Sequence, residues 1–142
     1  MAKRALLAAD RDAIGQPSSQ SAASFDERLE AAKALIRQGL KQKNPDAIWT
    51  MADLQMYVWP NDLARADKIT WALRLVACDA GYDCSLGAEW VRDLCSQDYN
   101  CQPHEAGADL ISRFNADRYP DLRLLADELA DRIERANLGD LL

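Results

Sequence analysis

Asn44–Gly81 reads NPDAIWTMADLQMYVWPNDLARADKITWALRLVACDAG, and its punctuation is helical from end to end. Asn44-Pro45 has the form of an N-cap followed by the first helical residue, and the helix it opens should run to about Val58. Trp59-Pro60-Asn61-Asp62 interrupts it. Proline disfavours helix at the residue before it, and Asn61 or Asp62 can cap whatever starts next. From about residue 62 to 79, Leu63, Ala66, Leu73 and Ala77 fall along one side of a second helix, with Trp71 and Val76 beside them.

The same grammar extends outward in both directions. Upstream, Ser24 and Glu27 form a capping-box pattern, and Leu29, Ala32, Ile36 and Leu40 recur at helical spacing over residues 25–43. Downstream, Ser85 can cap a helix over 86–96, and Pro103 suits the first position of another that runs to about Ala116. Pro120 resets the chain, and Leu122, Leu125, Leu129, Ile133 and Ala136 make the clearest amphipathic stripe, with Gly139 as its stop. Strand alternation is scarce. The expectation is an all-α fold of six or seven short helices, in a helical-hairpin array or an orthogonal bundle, with two disulfide-closed loops.

At 142 residues the chain can bury the core of one domain. Residues 1–24 read as a short helix over about 4–14 followed by a flexible polar linker, QPSSQSAAS; residues 25–142 read as the single all-α domain, with its cysteine-stapled segment at 78–101. A net charge of −6 argues against a nucleic-acid partner, which would need a basic face. The charge is uneven: residues 1–71 hold ten basic and nine acidic side chains, residues 72–142 seven and fourteen. No apolar run approaches the ~20 residues of a transmembrane helix. At the start, Lys3, Arg4 and ALLAA imitate a signal peptide until Asp10, Arg11 and Asp12 cut the apolar run short.

Residues 44–81 resemble a Sel-like repeat, a relative of the tetratricopeptide helical hairpin. The likeness is carried by Ala47, Met51-Ala52, Tyr57, Ala66, Trp71, Ala77 and Gly81. It departs from that family in three ways: Met51-Ala52 stands where Leu-Gly is usual, WPND replaces the glycine after the first helix, and no second full unit follows. The resemblance implies stacked helix pairs and partner binding. The pattern W-x-L-x-x-x-A-C-x-x-G-Y-D-C is also similar to bacterial exported proteins, a likeness that implies no activity.

All four cysteines lie between Cys78 and Cys101, in two copies of the frame C-x-x-x-Y-[D/N]-C. Structural zinc usually takes its thiolates from C-x2-C knuckles, whereas here C-x5-C, ten residues and a second C-x5-C follow one another, and His104 is the only imidazole. A redox centre wants C-x-x-C at a helix start, yet Cys78 and Cys95 fall near predicted helix ends. Covalent staples fit better, because five residues of turn can bring two Cα atoms within ~4.4–6.8 Å. Joining Cys84 to Cys95 would span most of a helix, roughly 15 Å, which excludes the nested pairing. Local pairing (Cys78–Cys84, Cys95–Cys101) follows most simply from the repeat, and crossed pairing (Cys78–Cys95, Cys84–Cys101) stays open. Disulfides imply an oxidising compartment, hence a periplasmic or secreted protein whose export signal is absent from this sequence; the alternative is a cytoplasmic one.

No catalytic constellation stands out. Cys101, His104 and Glu105 are neighbours in sequence, but their spacing does not make a nucleophile–base–acid relay. Glu89 beside Trp90, with Glu105 behind it, is a weak candidate for a glycosidase acid, and its place in a first helical turn favours the ionised form. Asp79, Asp83, Asp93, Asp98 and Asn100 do not supply the order of a calcium loop, so no metal and no cofactor is expected. Tyr57, Trp59, Tyr82, Asp83 and Tyr99 are the candidates for contact with a protein partner. The reading is a non-catalytic, exported protein-binding module; the alternatives are a cell-wall hydrolase using Glu89 and a cytosolic four-cysteine zinc protein.

Overall fold

The computed structural model describes residues 18–85, 87–97 and 107–142, and these are helical with no strand among them. In chain order the helices are α1 (Ser18–Lys41), α2 (Pro45–Asp53), α3 (Gln55–Val58), α4 (Leu63–Asp79), α5 (Glu89–Gln97), α6 (Gly107–Phe114) and α7 (Tyr119–Glu134). The all-α expectation holds. None of the described helices is long and apolar enough to cross a membrane.

Most boundaries obey the local chemistry. The Asn44 side chain accepts from the Asp46 amide at 3.0 Å, with Pro45 in the first turn of α2. Asp62 accepts from the Arg65 amide at 3.1 Å and opens α4. Pro120 again occupies a first turn, that of α7. Four boundaries differ from expectation. The helix expected from Pro45 to about Val58 is divided at Leu54 into α2 and α3. Helix α1 starts at Ser18, so residues 18–24 are helical rather than linker, and Ser24 lies inside the helix. No glycine or proline interrupts the sequence from Ser18 to Gln38, and its alanines and glutamines favour helix. Residues 1–17 lie outside the described residues. Ser85 does not cap α5, which begins four residues later at Glu89; its hydroxyl and amide instead bond the Asp83 carboxylate at 2.5 and 3.2 Å. Helix α7 stops at Glu134, ahead of Gly139.

That early stop belongs to a pattern. Helices α1, α4 and α7 all end in the same turn, with one residue in the left-handed conformation: Lys43 (φ 55°), Gly81 (φ 103°) and Ala136 (φ 57°). In each, the following amide reaches back five residues, Asn44 to the Gly39 carbonyl, Tyr82 to Ala77 and Asn137 to Arg132, at 2.9 Å every time. The left-handed residue's own amide closes the inner bond, to Leu40, Cys78 and Ile133 respectively. Two carbonyls in the last turn of each of the three helices are thereby satisfied within the chain.

Helix α4 is the centre. It packs against α2, α3, α6 and α7, and Ala66, Ile69, Ala72, Leu73, Leu75, Val76 and Ala77 are all buried. Around it gather Ile36 of α1, Met51 and Leu54, Ile111 of α6, and Leu122 and Leu129 of α7. Helices α1 and α2 touch almost backbone to backbone: a Cβ on Gly39 would lie 2.7 Å from the Ala47 Cβ. The C-terminal tail is pinned to this core. Leu141 is fully buried, and its carbonyl accepts from the buried Gln55 amide nitrogen at 3.0 Å. Asp140 is held between Arg132 and Arg65, and the Arg132 hydrogen bond keeps its carboxyl below the usual range.

The left-handed turns predict opposite outcomes for one kind of substitution. Lys43→Gly and Ala136→Gly should each stabilise the protein by about 1 kcal/mol, because glycine removes the Cβ penalty of that conformation. Gly81→Ala should cost about the same, and chemical denaturation curves of the three variants measure all of it.

Candidate functional site

The five-residue link between Cys78 and Cys84 organises the most elaborate side-chain cluster among the described residues. Cys78 lies in the last turn of α4, Gly81 makes the left-handed turn, and the chain doubles back so that the two Cα atoms stand 5.6 Å apart, joined sulfur to sulfur. Local pairing of the first staple is therefore correct and crossed pairing is excluded. The second expected staple ends on Cys101, outside the described residues.

Inside the ring of the staple, Tyr82 lays its phenol flat on Trp49 of α2, with centroids 4.3 Å apart and planes 3° from parallel. Trp90 of α5 tilts against Trp49, with centroids 4.8 Å apart and planes at 46°, and its indole N–H donates to the Asp83 carbonyl at 2.8 Å. The guanidinium of Arg74 stands over Trp49 at 5.3 Å and over Trp71 at 4.9 Å, while also reaching Asp53 at 3.6 Å. Gly107 closes the arrangement. Its amide donates to the Cys84 carbonyl at 2.7 Å, and a Cβ there would sit 2.3 Å from the Trp90 ring. Burial, followed by the charges of Asp46, Asp53 and Asp83, pushes the Tyr82 phenol above its ordinary range. Asp83 is exposed, and its bonds from Ser85 hold its carboxyl low.

The sequence candidates do not converge on one place. Tyr82 and Asp83 belong to the staple loop, with one face of the Tyr82 ring covered by Trp49. Tyr57 and Trp59 lie instead at the corner between α3 and α4. Tyr57 is 43 % exposed and leans on Phe25 at 5.4 Å; Trp59 is half-buried beneath the Arg65 guanidinium, 3.8 Å from its ring. Met56 and Leu63 beside them are 62 % and 59 % exposed. Glu89 is exposed in the first turn of α5, where no apolar wall encloses it. Asp79 is paired with Arg123 at 2.5 Å. Tyr99, Asp98, Asn100, Cys101, His104 and Glu105 lie outside the described residues. Among the described residues no group of three or more His, Cys, Asp or Glu side chains could hold a metal ion.

Sequence reasoning missed Arg74 and Gly107. The spacing of Arg74 three residues after Trp71 on a helix was a readable sign of contact. Nothing local announces that Gly107 is the seat of an indole from another helix. No protein-family model, curated protein or solved structure matches the chain.

Two outcomes follow from the cluster. Gly107→Ala should destabilise by roughly 1–3 kcal/mol through overpacking, with a change in near-UV circular dichroism as Trp90 is displaced. Because the raised phenol favours the neutral form, Tyr82 stabilises the fold below about pH 10, its unfolded value, and that contribution fades as pH rises through the folded one. Urea midpoints measured from about pH 8 to 11 should therefore fall more steeply for the wild type than for Tyr82→Phe.

Proposed function

We propose that this protein is an exported, disulfide-stapled helical module that binds a protein partner and performs no chemistry of its own. The observation that carries the reading is the corner between α3 and α4, where Met56, Tyr57 and Leu63 are exposed together on rigid elements. Large apolar and aromatic side chains of this kind form the cores of protein interfaces. Phe25 and the capped start of α4 brace the corner, so little ordering entropy opposes docking. The Cys78–Cys84 bond supports an oxidising destination, since such links persist outside the reducing cytosol.

The other readings draw less support. A four-cysteine zinc site needs four thiolates, and Cys78 and Cys84 are bonded to each other. A hydrolase acid at Glu89 needs apolar walls to hold its proton near neutral pH, and the exposed first turn of α5 offers none.

Affinity capture under oxidising conditions tests the proposal. The wild type should retain a defined partner in stoichiometric amount, and Tyr57→Ala combined with Leu63→Glu should weaken that complex about tenfold or more. Unfolding of the variant should shift only by the loss of the Tyr57–Phe25 contact, about 0.5–1.5 kcal/mol, since the rest of both side chains faces water. A partner held equally by both proteins, or none at all, would overturn the assignment.

A further inference from the structure

Helix α5 is attached at the margin of the molecule. Its buried residue, Val91, joins Ala88 and Leu110 in a small apolar cluster set apart from the main core. Among the helices it packs chiefly on α6, which straddles the two clusters: Leu110 belongs to the small one and Ile111 to the large one. The charged side chains of α5, Glu89, Arg92 and Asp93, join no ion pair among the described residues. Trp90 is the one α5 side chain that packs against both clusters.

The polar anchors of this margin end on the disulfide-closed loop. The Trp90 indole donates to the Asp83 carbonyl at 2.8 Å, and the Gly107 amide, at the start of α6, donates to the Cys84 carbonyl at 2.7 Å. These acceptors are adjacent carbonyls at the far end of the ring, and the Cys78–Cys84 bond ties that end back to the last turn of α4. Tyr82 on Trp49 secures the middle of the loop and holds neither carbonyl. With the sulfurs apart, the stretch after Tyr82 keeps only its bonds to α5 and α6 and the one between Asp83 and Ser85. Helix α4 has seven buried residues to hold it and does not depend on the bond. A ring this small also adds little closure entropy to the fold as a whole.

We propose that the Cys78–Cys84 bond is a redox latch that holds α5 against the core and is opened by a dithiol. One thiolate of the reductant attacks a sulfur of the bond, forms a mixed disulfide and releases the other cysteine, which takes up a proton. The second thiol of the reductant then displaces the first cysteine and leaves as the reductant's own disulfide, so that two electrons and two protons pass to Cys78 and Cys84. Neither cysteine is sealed in the core: both are half-buried. In the reduced chain the Asp83 and Cys84 carbonyls lose their fixed place, Trp90 parts from Trp49, and α5 moves off α6. Helices α1, α2, α4 and α7 keep their packing. The opening uncovers Trp90, Val91 and Leu110, an apolar surface separate from the corner of Met56, Tyr57 and Leu63, and it does not rest on the role proposed for that corner.

Hydrogen exchange read by mass spectrometry tests this on three forms of the protein. They are the oxidised chain, the same chain reduced by dithiothreitol without denaturant, and Cys78→Ser with Cys84→Ser, which keeps Cys95 and isolates this one bond. Amides of residues 92–97 should exchange about tenfold or more faster in the second and third forms than in the first, while those of α2 and α4 stay within about twofold. In the oxidised protein Trp90→Phe, which removes the indole donor, should speed the same amides by a comparable factor. The proposal is overturned by α5 exchange that does not change on reduction, or by acceleration spread over all the helices, which would make the bond a global staple. It is equally overturned by an effect of dithiothreitol absent from the double variant, by a disulfide that yields only in urea, or by an oxidised Trp90→Phe protein whose α5 stays protected.

Discussion

Helix α4 has almost no face to offer to water along its second half. Leu73, Leu75, Val76 and Ala77 point in different directions around the helix, and each is buried. Such a helix gains nothing from an isolated existence and must be enclosed by neighbours. Helices α2 and α3 cover it on one side and α7 on another, with α6 adding a third contact. The polar features of the fold then fall at the margins of this enclosure. Asp67 pairs with Arg118 and Asp79 with Arg123, both across the α4–α7 seam, where partial exposure keeps each bond modest in energy but directional.

The two ends of α4 are treated differently. Its start is set by one side chain, Asp62, and its neighbourhood is an open corner carrying Met56, Tyr57 and Leu63. Its finish is fixed three times over, by the turn at Gly81, by the disulfide and by the stack of Tyr82 on Trp49. A small ring closed by a disulfide stabilises by ~2 kcal/mol before strain. Its larger effect is positional: with Cys78 and Cys84 joined, Tyr82 has few directions available except toward Trp49.

What the sequence made legible was local. Asn44-Pro45, Asp62 and Pro120 declare their helix starts because capping depends on two or three adjacent residues. The first staple was readable for the same reason, as a cysteine, a turn glycine and a second cysteine within one short segment. The start of α1 departs from the expected linker because no glycine or proline follows Pro17 until Gly39, and that absence outweighs a polar composition. Ser85 was misread as a cap because Asp83, two residues away, competes for the same hydroxyl. The stop at Ala136 hid because alanine rarely adopts a left-handed conformation. The seat of Trp90 on Gly107 was invisible, being the product of chain segments that meet only once α4 is enclosed.

The compactness of the Cys78–Cys84 ring bears on the order in which the molecule assembles. Both sulfurs lie within a single helical exit and its turn, so they can meet on the submicrosecond timescale of short-loop closure. In a chain delivered end first, with its amino terminus leading and a thiol oxidant at hand to take up two electrons, this ring could close before α7 existed to cover α4. The central helix would then wait for its late partner with its tail already fastened, and only its open start free to fray.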